Sequence, residues 1–259
     1  MPSARPSRLV RLARRTHRGL VYPLLSFVLP SICFACRAPL GPLQRLGACA
    51  ECWARLRILR PPLCGGCGLP PASGTDLLGP ARGRCASCVL DRPAADAVRA
   101  AVVYDPIARA FLLRAKLGGR SELLRPLGLQ LARILESTGF GATCTAVVAV
   151  PSHPWMNLRR GFVPGQVLAR AVAGRLGLPI RAGALVRRLG TKISFKRMRA
   201  RSRRIHASRA FRVRHSLAGE RLLLIDDVMT TGATIEACTC ALKRAGAIEV
   251  HAATWARTL

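Results

Sequence analysis

The spacing of hydrophobic residues changes near residue 93, and from there to the C-terminus two patterns alternate. Short aliphatic runs, typical of buried strands, occupy Val98–Tyr104, Ala146–Val150, Arg221–Ile225 and Ile248–Thr254. Helical spacing covers Ile107–Leu117, Leu123–Ser137, Pro164–Leu176 and Thr234–Ala245. Strands that alternate with helices predict an α/β fold with a mostly parallel sheet flanked by helices. In such sheets ligands bind at the carboxyl ends of the strands.

The first 92 residues lack this alternation and predict two further parts. Residues 31–92 are rich in cysteine and loop-forming residues, which predicts a small metal-binding domain before a larger domain at 93–259. Residues 1–30 form a basic segment with short helical patterns interrupted at Pro23 and Pro30. A leader, a surface-docking helix and a nucleic-acid-binding arm all fit this segment, and a mitochondrial presequence would look similar.

Basic residues dominate the charge of the chain. There are 42 Lys and Arg against 12 Asp and Glu, which gives a formal net charge of +30. No acidic residue lies between Glu136 and Glu220, although 17 Lys or Arg fall from Arg159 to Arg214. Such a surface attracts nucleic acid, phosphorylated metabolites or anionic lipid. An Arg-rich codon usage that leaves a solvated basic face is the alternative explanation.

Eight of the 11 cysteines form four Cys-x-x-Cys pairs. The pairs are Cys33/Cys36, Cys49/Cys52, Cys64/Cys67 and Cys85/Cys88, with 12 residues between the first two pairs and 17 between the last two. A two-residue gap lets both sulfurs reach one tetrahedral ion, so the eight thiolates predict one or two structural zinc sites of ribbon type. Pairing in sequence order is simplest, and a cross-braced pairing is the alternative. With no evident signal peptide or membrane span, we expect a cytoplasmic protein with reduced thiols.

An acidic pair followed by a Thr-rich loop is the most informative segment. The aliphatic run Leu222–Ile225 leads into Asp226 and Asp227, and the loop Thr230–Thr234 opens the next helix. A helix N-terminus with nearby hydroxyl groups suits a phosphate, and adjacent carboxylates suit ribose hydroxyls or hydrated Mg²⁺. The segment therefore predicts a sugar-phosphate site. An ordinary turn with a Thr cap is the alternative.

These residues resemble the phosphoribosyl-diphosphate (PRPP) signature of type I phosphoribosyltransferases, and residues 25–259 resemble the ComF family. Further matching motifs are Cys-Phe-Ala-Cys at 33–36, Cys-Gly-Gly-Cys-Gly-Leu-Pro at 64–70, Leu-Leu-Arg-Ala-Lys-Leu-Gly-Gly-Arg at 112–120, Val-Pro-Ser-His-Pro at 150–154, Arg-Arg-Gly-Phe at 159–162 and the terminal Ala-Arg-Thr-Leu. The resemblance implies a double zinc ribbon followed by a type I phosphoribosyltransferase fold, with Mg²⁺ accompanying PRPP.

The resemblance also implies roles for individual residues. Asp226 and Asp227 would be the catalytic pair that holds the ribose hydroxyls. The residues expected around the 5′-phosphate are Thr230, Thr231, Gly232, Ala233 and Thr234. The residues expected near the pyrophosphate are Pro151, Ser152, His153, Arg159, Arg160, Lys116 and Arg120. The basic stretch Lys192–Arg204 would occupy the place of a lid over the site.

The chain departs from the family pattern at three positions. Val163-Pro164 replaces the usual Asn-Gln pair, and His206 stands where an Asn is common. These changes affect the predicted acceptor pocket more than PRPP binding. Thr230 occupies the place where purine-salvage relatives carry an acid, so no base for a purine nitrogen is evident. Trp155 suits either base stacking or anchoring of the loop.

Three functions fit the sequence. The first is a phosphoribosyltransferase acting from PRPP on an unidentified acceptor. The second is a non-catalytic module that senses PRPP or a nucleotide and binds single-stranded DNA through its basic surface. The resemblance places both in competence and DNA uptake during natural transformation, with single-stranded DNA and competence or recombination proteins as partners. The third, a purely structural zinc protein, leaves the 222–234 segment unexplained.

Overall fold

The chain divides into two compact units, Met1–Arg55 and Leu56–Leu259. The computed structural model describes residues 32–41, 47–71, 83–117, 121–188 and 210–259. The described part of the smaller unit holds the first two cysteine pairs and a short helix, α1 (Ala50–Ala54), which is capped by the Cys49 side chain. The other two cysteine pairs belong to the larger unit. Domain boundaries at residues 30 and 92 stay a prediction.

A four-stranded parallel sheet forms the centre of the larger unit, with strand order β1-β6-β5-β2. Its strands are β1 (Ala97–Val103), β2 (Ala146–Ala149), β5 (Arg221–Met229) and β6 (Glu249–Arg257). The strands β3 (Leu185–Arg187) and β4 (Phe211–Val213) form a separate antiparallel pair. The fold class expected from the sequence is therefore confirmed.

Helix α2 (Ala86–Leu90) precedes β1. The α-helices described after β1 are α3 (Pro106–Leu117), α4 (Leu124–Ser137), α5 (Pro154–Arg160), α6 (Pro164–Leu176) and α7 (Ala233–Arg244). Among these, α4, α6 and α7 pack against the sheet. Within the described ranges, no helix has both the length and the apolar character needed to cross a bilayer.

Burial on both faces explains why β5 reads as an uninterrupted aliphatic run. Leu222, Leu223, Leu224 and Ile225 are all fully buried, although alternate residues of a strand point to opposite faces. Leu222 and Leu224 share a hydrophobic core with α7 and β6. Helices α4 and α6 pack against each other and against the sheet. Helix layers therefore enclose the strand that carries the acidic pair.

The observed elements differ from the predicted ones near the acidic pair. We expected a strand that ends at Ile225, whereas β5 continues through both carboxylates to Met229 because its pairing with β6 continues. Strand β6 likewise extends to Arg257. Helix α5 and the β3–β4 pair were not predicted, because each is too short to show a periodic pattern.

Gly128 on α4 allows close packing against α6. A Cβ atom there would lie 2.7 Å from Ala171 Cβ and 3.0 Å from Leu168 O. We expect Gly128→Ala to lower the free energy of unfolding by about 1–2 kcal/mol, because the overpacking outweighs the better helix propensity. Gly174→Ala on α6 is the matched control, since its Cβ would meet nothing within 4 Å, and should raise stability by about 0.5–1 kcal/mol. Urea unfolding followed by circular dichroism would measure both, and equal effects would contradict the packing argument.

Candidate active site and metal centres

The acidic pair lies where β5 has a neighbouring strand on only one side. Within the described residues, β2 pairs with β5 only as far as Ile225, whereas β6 pairs with it as far as Met229. On β5, Asp226 and Asp227 are the first two residues that have no pairing partner on β2. They therefore lie at an open step on the carboxyl edge of the sheet, where ligands bind in this class of fold.

A lysine from α3 meets this pair. Lys116 Nζ lies 2.8 Å from Asp227 Oδ2, and the two side chains are only 19% and 15% exposed. Asp226 Oδ1 accepts a hydrogen bond of 2.8 Å from the backbone N–H of Asp227. The two carboxylates therefore differ: one is neutralised by a cation and the other is held by the backbone.

This difference changes the acidity of the pair. Burial raises the pKa of Asp226 to about 8, and the adjacent charge of Asp227 adds to the effect. The hydrogen bond from Asp227 N–H and the charge of Lys116 oppose the rise without cancelling it. The direction of this shift favours the protonated form of Asp226 in the ligand-free pair.

The loop after β5 turns directly into α7. Gly232 caps this helix with φ of 77°, a left-handed conformation that glycine adopts without strain. A Cβ at this position would lie 3.3 Å from Met229 Cε, so the loop packs closely over the end of β5. Thr231 Oγ1 accepts from Ala233 N–H at 3.4 Å. The hydroxyls of the loop and the N-terminal end of α7 make a region suited to a phosphate.

A second loop approaches the acidic pair from β2. Val150 N–H donates to Ile225 O at 2.9 Å, which places the loop 150–153 next to the end of the paired part of β5. Pro151, Ser152 and His153 are half-buried. The carbonyl oxygen of His153 accepts from two N–H groups in the first turn of α5.

Each cysteine tetrad combines two pairs that are consecutive in the sequence. One consists of Cys33, Cys36, Cys49 and Cys52, and the other of Cys64, Cys67, Cys85 and Cys88; within each, the sulfurs lie within 4.8 Å of one another. This confirms the sequential pairing and excludes the cross-braced alternative. All 11 cysteines, each in the described part of the chain, are free of disulfides.

The sulfur geometry fits zinc. A tetrahedral site with Zn–S bonds of about 2.3 Å requires sulfur separations of roughly 3.8 Å. The Cys36–Cys49 and Cys67–Cys85 sulfurs are 3.7 and 3.8 Å apart. Backbone N–H groups also point at sulfur, as from Cys85 N–H to Cys64 Sγ at 3.2 Å. The two tetrads are therefore consistent with two structural zinc sites.

Comparisons with known proteins agree with both parts of this architecture. The double zinc ribbon domain matches residues 24–89, and the phosphoribosyl transferase domain matches residues 158–258. The DNA utilization protein YhgH of Salmonella typhimurium is 31% identical over 234 residues, covering 89% of this chain and 98% of the relative. The chain belongs to the ComF family.

Other matches of this ComF-family protein are more distant. YhgH of Escherichia coli (strain K12) is 29% identical with the same coverage. Competence protein F of Haemophilus influenzae is 25% identical, over 85% of this chain and 93% of the relative. A purine phosphoribosyltransferase from Pyrococcus horikoshii Ot3 aligns with a TM-score of 0.34 at 18% identity, over 52% of this chain and 73% of that chain.

The ComF chain places the predicted site residues in three groups. The acidic pair and the 230–234 loop lie together on β5 and α7. Lys116, expected near the pyrophosphate, lies against Asp227. Arg160 ends α5, which also contains Arg159. Arg120 and the expected lid Lys192–Arg204 lie outside the described residues, as does His206. The ligand-binding roles of all these residues remain predictions.

Sequence reasoning missed an arginine-lined cavity of about 700 Å³ next to the 150–153 loop. Its arginines lie on β3 and β4 or directly after these strands, and are Arg187, Arg188, Arg212 and Arg214. Ser152, Asn157 and Gln166 add polar groups to its wall. The sequence signal that could have indicated this cavity was the stretch 137–219, which is rich in arginine and contains no acidic residue. However, only the pairing of β3 with β4 brings these side chains together.

The raised pKa of Asp226 predicts a specific pH dependence of ligand-free stability. The group is harder to ionise in the folded protein than in the unfolded chain, where its pKa is near 3.9. The stabilising contribution of Asp226 to the free energy of unfolding is therefore fully present below pH 4 and is lost as the pH rises through about 8. We expect Asp226→Asn to remove this loss and to be more stable than the wild type at pH 9 by on the order of 1–3 kcal/mol.

Urea unfolding from pH 5 to pH 9 would measure the effect. Glu136→Gln is the control, because that carboxylate is half exposed and pairs with Arg175 at the surface. It should leave the slope of stability between pH 5 and pH 8 unchanged. An Asp226→Asn variant that keeps the wild-type slope would show that this group does not titrate in this range.

Proposed function

We propose that the protein binds PRPP at the open step of β5 and transfers its phosphoribosyl group to an acceptor. The observation that carries this proposal is the position of the acidic pair between the 150–153 loop and the Thr-rich loop that opens α7. Asp226 and Asp227 would accept hydrogen bonds from the two ribose hydroxyls. The 230–234 loop would hold the 5′-phosphate with backbone N–H groups and threonine hydroxyls.

The pyrophosphate would lie toward the 150–153 loop. Ser152 and His153 supply donors there, and Arg160 and the arginine-lined cavity supply positive charge. During transfer the bond from ribose C1 to pyrophosphate breaks, the acceptor forms a bond to C1, and pyrophosphate leaves with its electron pair. Fixed donors and cations stabilise charge that develops on the leaving group. The acidic pair holds the ribose in the orientation for displacement.

The donor set also fits Mg²⁺. Mg²⁺ is commonly bound through one or two carboxylates together with substrate phosphates, and Asp226 and Asp227 offer carboxylates beside the expected diphosphate. A bound Mg²⁺ would neutralise charge on the diphosphate. Lys116 balances Asp227 before the ligand arrives. The ribose hydroxyls would then take over from this ion pair.

The cellular setting of the proposal follows from the relatives. They are named DNA utilization protein and Competence protein F, which supports a role in DNA uptake. A cytoplasmic location fits cysteine tetrads that require reduced thiols.

Replacing both carboxylates tests the PRPP site. We expect Asp226→Asn/Asp227→Asn to weaken Mg²⁺–PRPP binding at least 100-fold, because two charge-assisted hydrogen bonds contribute roughly 3 kcal/mol. Isothermal titration of zinc-loaded protein would measure this, with Glu136→Gln as the control that keeps wild-type affinity. If the folded wild type binds no PRPP, the proposed function is wrong.

Binding of single-stranded DNA is a second candidate, favoured by α5. Trp155 is 69% exposed and Leu158 is 79% exposed on this short helix, beside loop 150–153 that lines the arginine-rich cavity. Exposed aromatic groups next to cations suit stacked bases and a phosphate backbone. Residues 137–219, which include the arginines of the cavity, contain no acidic side chain that could neutralise this positive charge.

Salt dependence distinguishes this function. We expect the affinity for a fluorescent oligo-dT to fall steeply between 50 and 300 mM NaCl, with a log–log slope of about −0.7 per phosphate contact. Trp155→Ala should weaken binding about tenfold at fixed salt, since stacking contributes roughly 1–3 kcal/mol per base. Val89→Ala is the matched control, because it truncates an exposed apolar residue on α2. A flat salt response would argue against DNA as a ligand.

A further inference from the structure

The terminal motif Ala256–Leu259 contains a buried cation. Arg257, the last residue of β6, is only 4% exposed. Its Nη1 donates to the carbonyl oxygen of Cys67, and its Nε donates to Thr258 O at 3.3 Å. Among the described residues, no carboxylate lies within ion-pair distance of this guanidinium. A buried charge without a counter-ion is unstable, so its compensation must come from elsewhere.

The second cysteine tetrad supplies that compensation. Four thiolates around Zn²⁺ carry a formal net charge of about −2. Arg257 donates directly to the carbonyl oxygen of Cys67, which is one of the four cysteines of this tetrad. The guanidinium is therefore held by a carbonyl of the Cys64–Cys67 turn, called the zinc knuckle from here on, and by the charge of the thiolates of its tetrad.

The knuckle that carries Cys67 is itself fixed to the sheet. Val98 N–H donates to Gly66 O at 2.8 Å. Gly68 has φ of 72°, and a Cβ there would lie 2.3 Å from Val98 O, so the backbones are in direct contact. Since β1 pairs with β6 up to Arg257, the knuckle, β1 and the end of β6 form one continuous backbone network.

The opposite side of the same strand end reaches the Thr-rich loop. Arg257 is in register with Met229 of β5. Thr258 N–H donates to Met229 O at 3.1 Å, and Thr258 Oγ1 donates to Thr230 O at 3.2 Å. Thr230 is the first residue of the loop expected to hold the 5′-phosphate. The end of β6 therefore contacts the zinc knuckle on one side and the start of the loop on the other.

We propose that Arg257 is a positioning residue that joins the second cysteine tetrad to the 230–234 loop, so that zinc in this tetrad holds the loop ready for the 5′-phosphate of PRPP. With the tetrad formed, the guanidinium and the end of β6 have one fixed position. Without the zinc thiolates the buried cation loses its compensation, and the strand end that supports Thr230 loosens. The affinity part of this inference rests on the proposed PRPP function, whereas the loop-ordering part does not.

Arg99 offers a matched control. Its Nη1 donates to the carbonyl oxygen of Cys64 at 3.0 Å, so it holds the same knuckle. It lies on β1 in register with Ala253, four residues before Arg257 on β6. An Arg99 variant therefore loses a knuckle contact without disturbing the strand end beside Thr230.

The test uses full-length, zinc-loaded protein and three readouts. Mass spectrometry measures the zinc content per chain, and calorimetry measures the Mg²⁺–PRPP affinity. Hydrogen–deuterium exchange without ligand measures the deuterium uptake of the amides of residues 229–234. At equal zinc content, we expect Arg257→Met to weaken PRPP binding at least tenfold and to raise uptake. Arg257→Lys, which keeps the charge, should restore most of both. Arg99→Met should stay within twofold of the wild type in affinity.

Zinc removal completes the experiment. Chelation should raise uptake at 229–234 in the wild type and add little in Arg257→Met. Unchanged uptake in Arg257→Met, an equal loss of affinity in Arg99→Met, or no response to chelation would each overturn the proposal. If the wild type binds no PRPP, the proposed function fails separately, and deuterium uptake still decides whether Arg257 orders the loop. If Arg257→Met does not fold, zinc removal from the wild type decides: deuterium uptake at 229–234 that does not rise on chelation overturns the proposal.

Discussion

The candidate site depends on the unequal lengths of the two strands beside β5. Strand β6 supports β5 to its last residue, whereas β2 stops at Ile225. The backbone of Asp226 and Asp227 is therefore held rigidly from one side and is open on the other. Rigid support keeps two adjacent carboxylates together despite their repulsion. Burial raises the pKa of Asp226, and the charge of Asp227 adds to this rise. A longer β2 would close the step.

Several of the described acidic residues lie where they fix the fold or the site. Asp96 accepts hydrogen bonds from Lys243 Nζ and Val250 N–H, and Glu236 accepts from Ala94 N–H. These contacts attach the segment before β1 to α7 and β6. In a chain with a net charge of +30, acids placed in this way leave the basic surface largely unneutralised. This charge distribution favours the binding of anionic ligands, and added salt would weaken that binding by screening the charges.

Short-range patterns predicted the fold class and the tetrads, because those signals lie within a few residues. The Cys-x-x-Cys spacing and the aliphatic run before Asp226 are both local. The extension of β5 to Met229 and the position of Lys116 against Asp227 depend on pairing between distant segments. The arginine-lined cavity has the same origin, since β3 and β4 are separated by more than 20 residues. Sequence spacing does not show which of these segments meet.

The two tetrads differ in what surrounds them within their own units. The second tetrad is in the same compact unit as the parallel sheet, and Arg99 and Arg257 both donate to its carbonyl groups. Placing one buried and one half-buried guanidinium group in an already cationic protein would be unfavourable without a nearby negative charge. Zinc thiolates would provide that charge, and their metal-binding free energy would become folding free energy. In the role proposed above, the metal would therefore do more than fold a loop-rich segment: it would make a buried cation at the end of β6 tolerable, beside the loop that the proposed ligand needs.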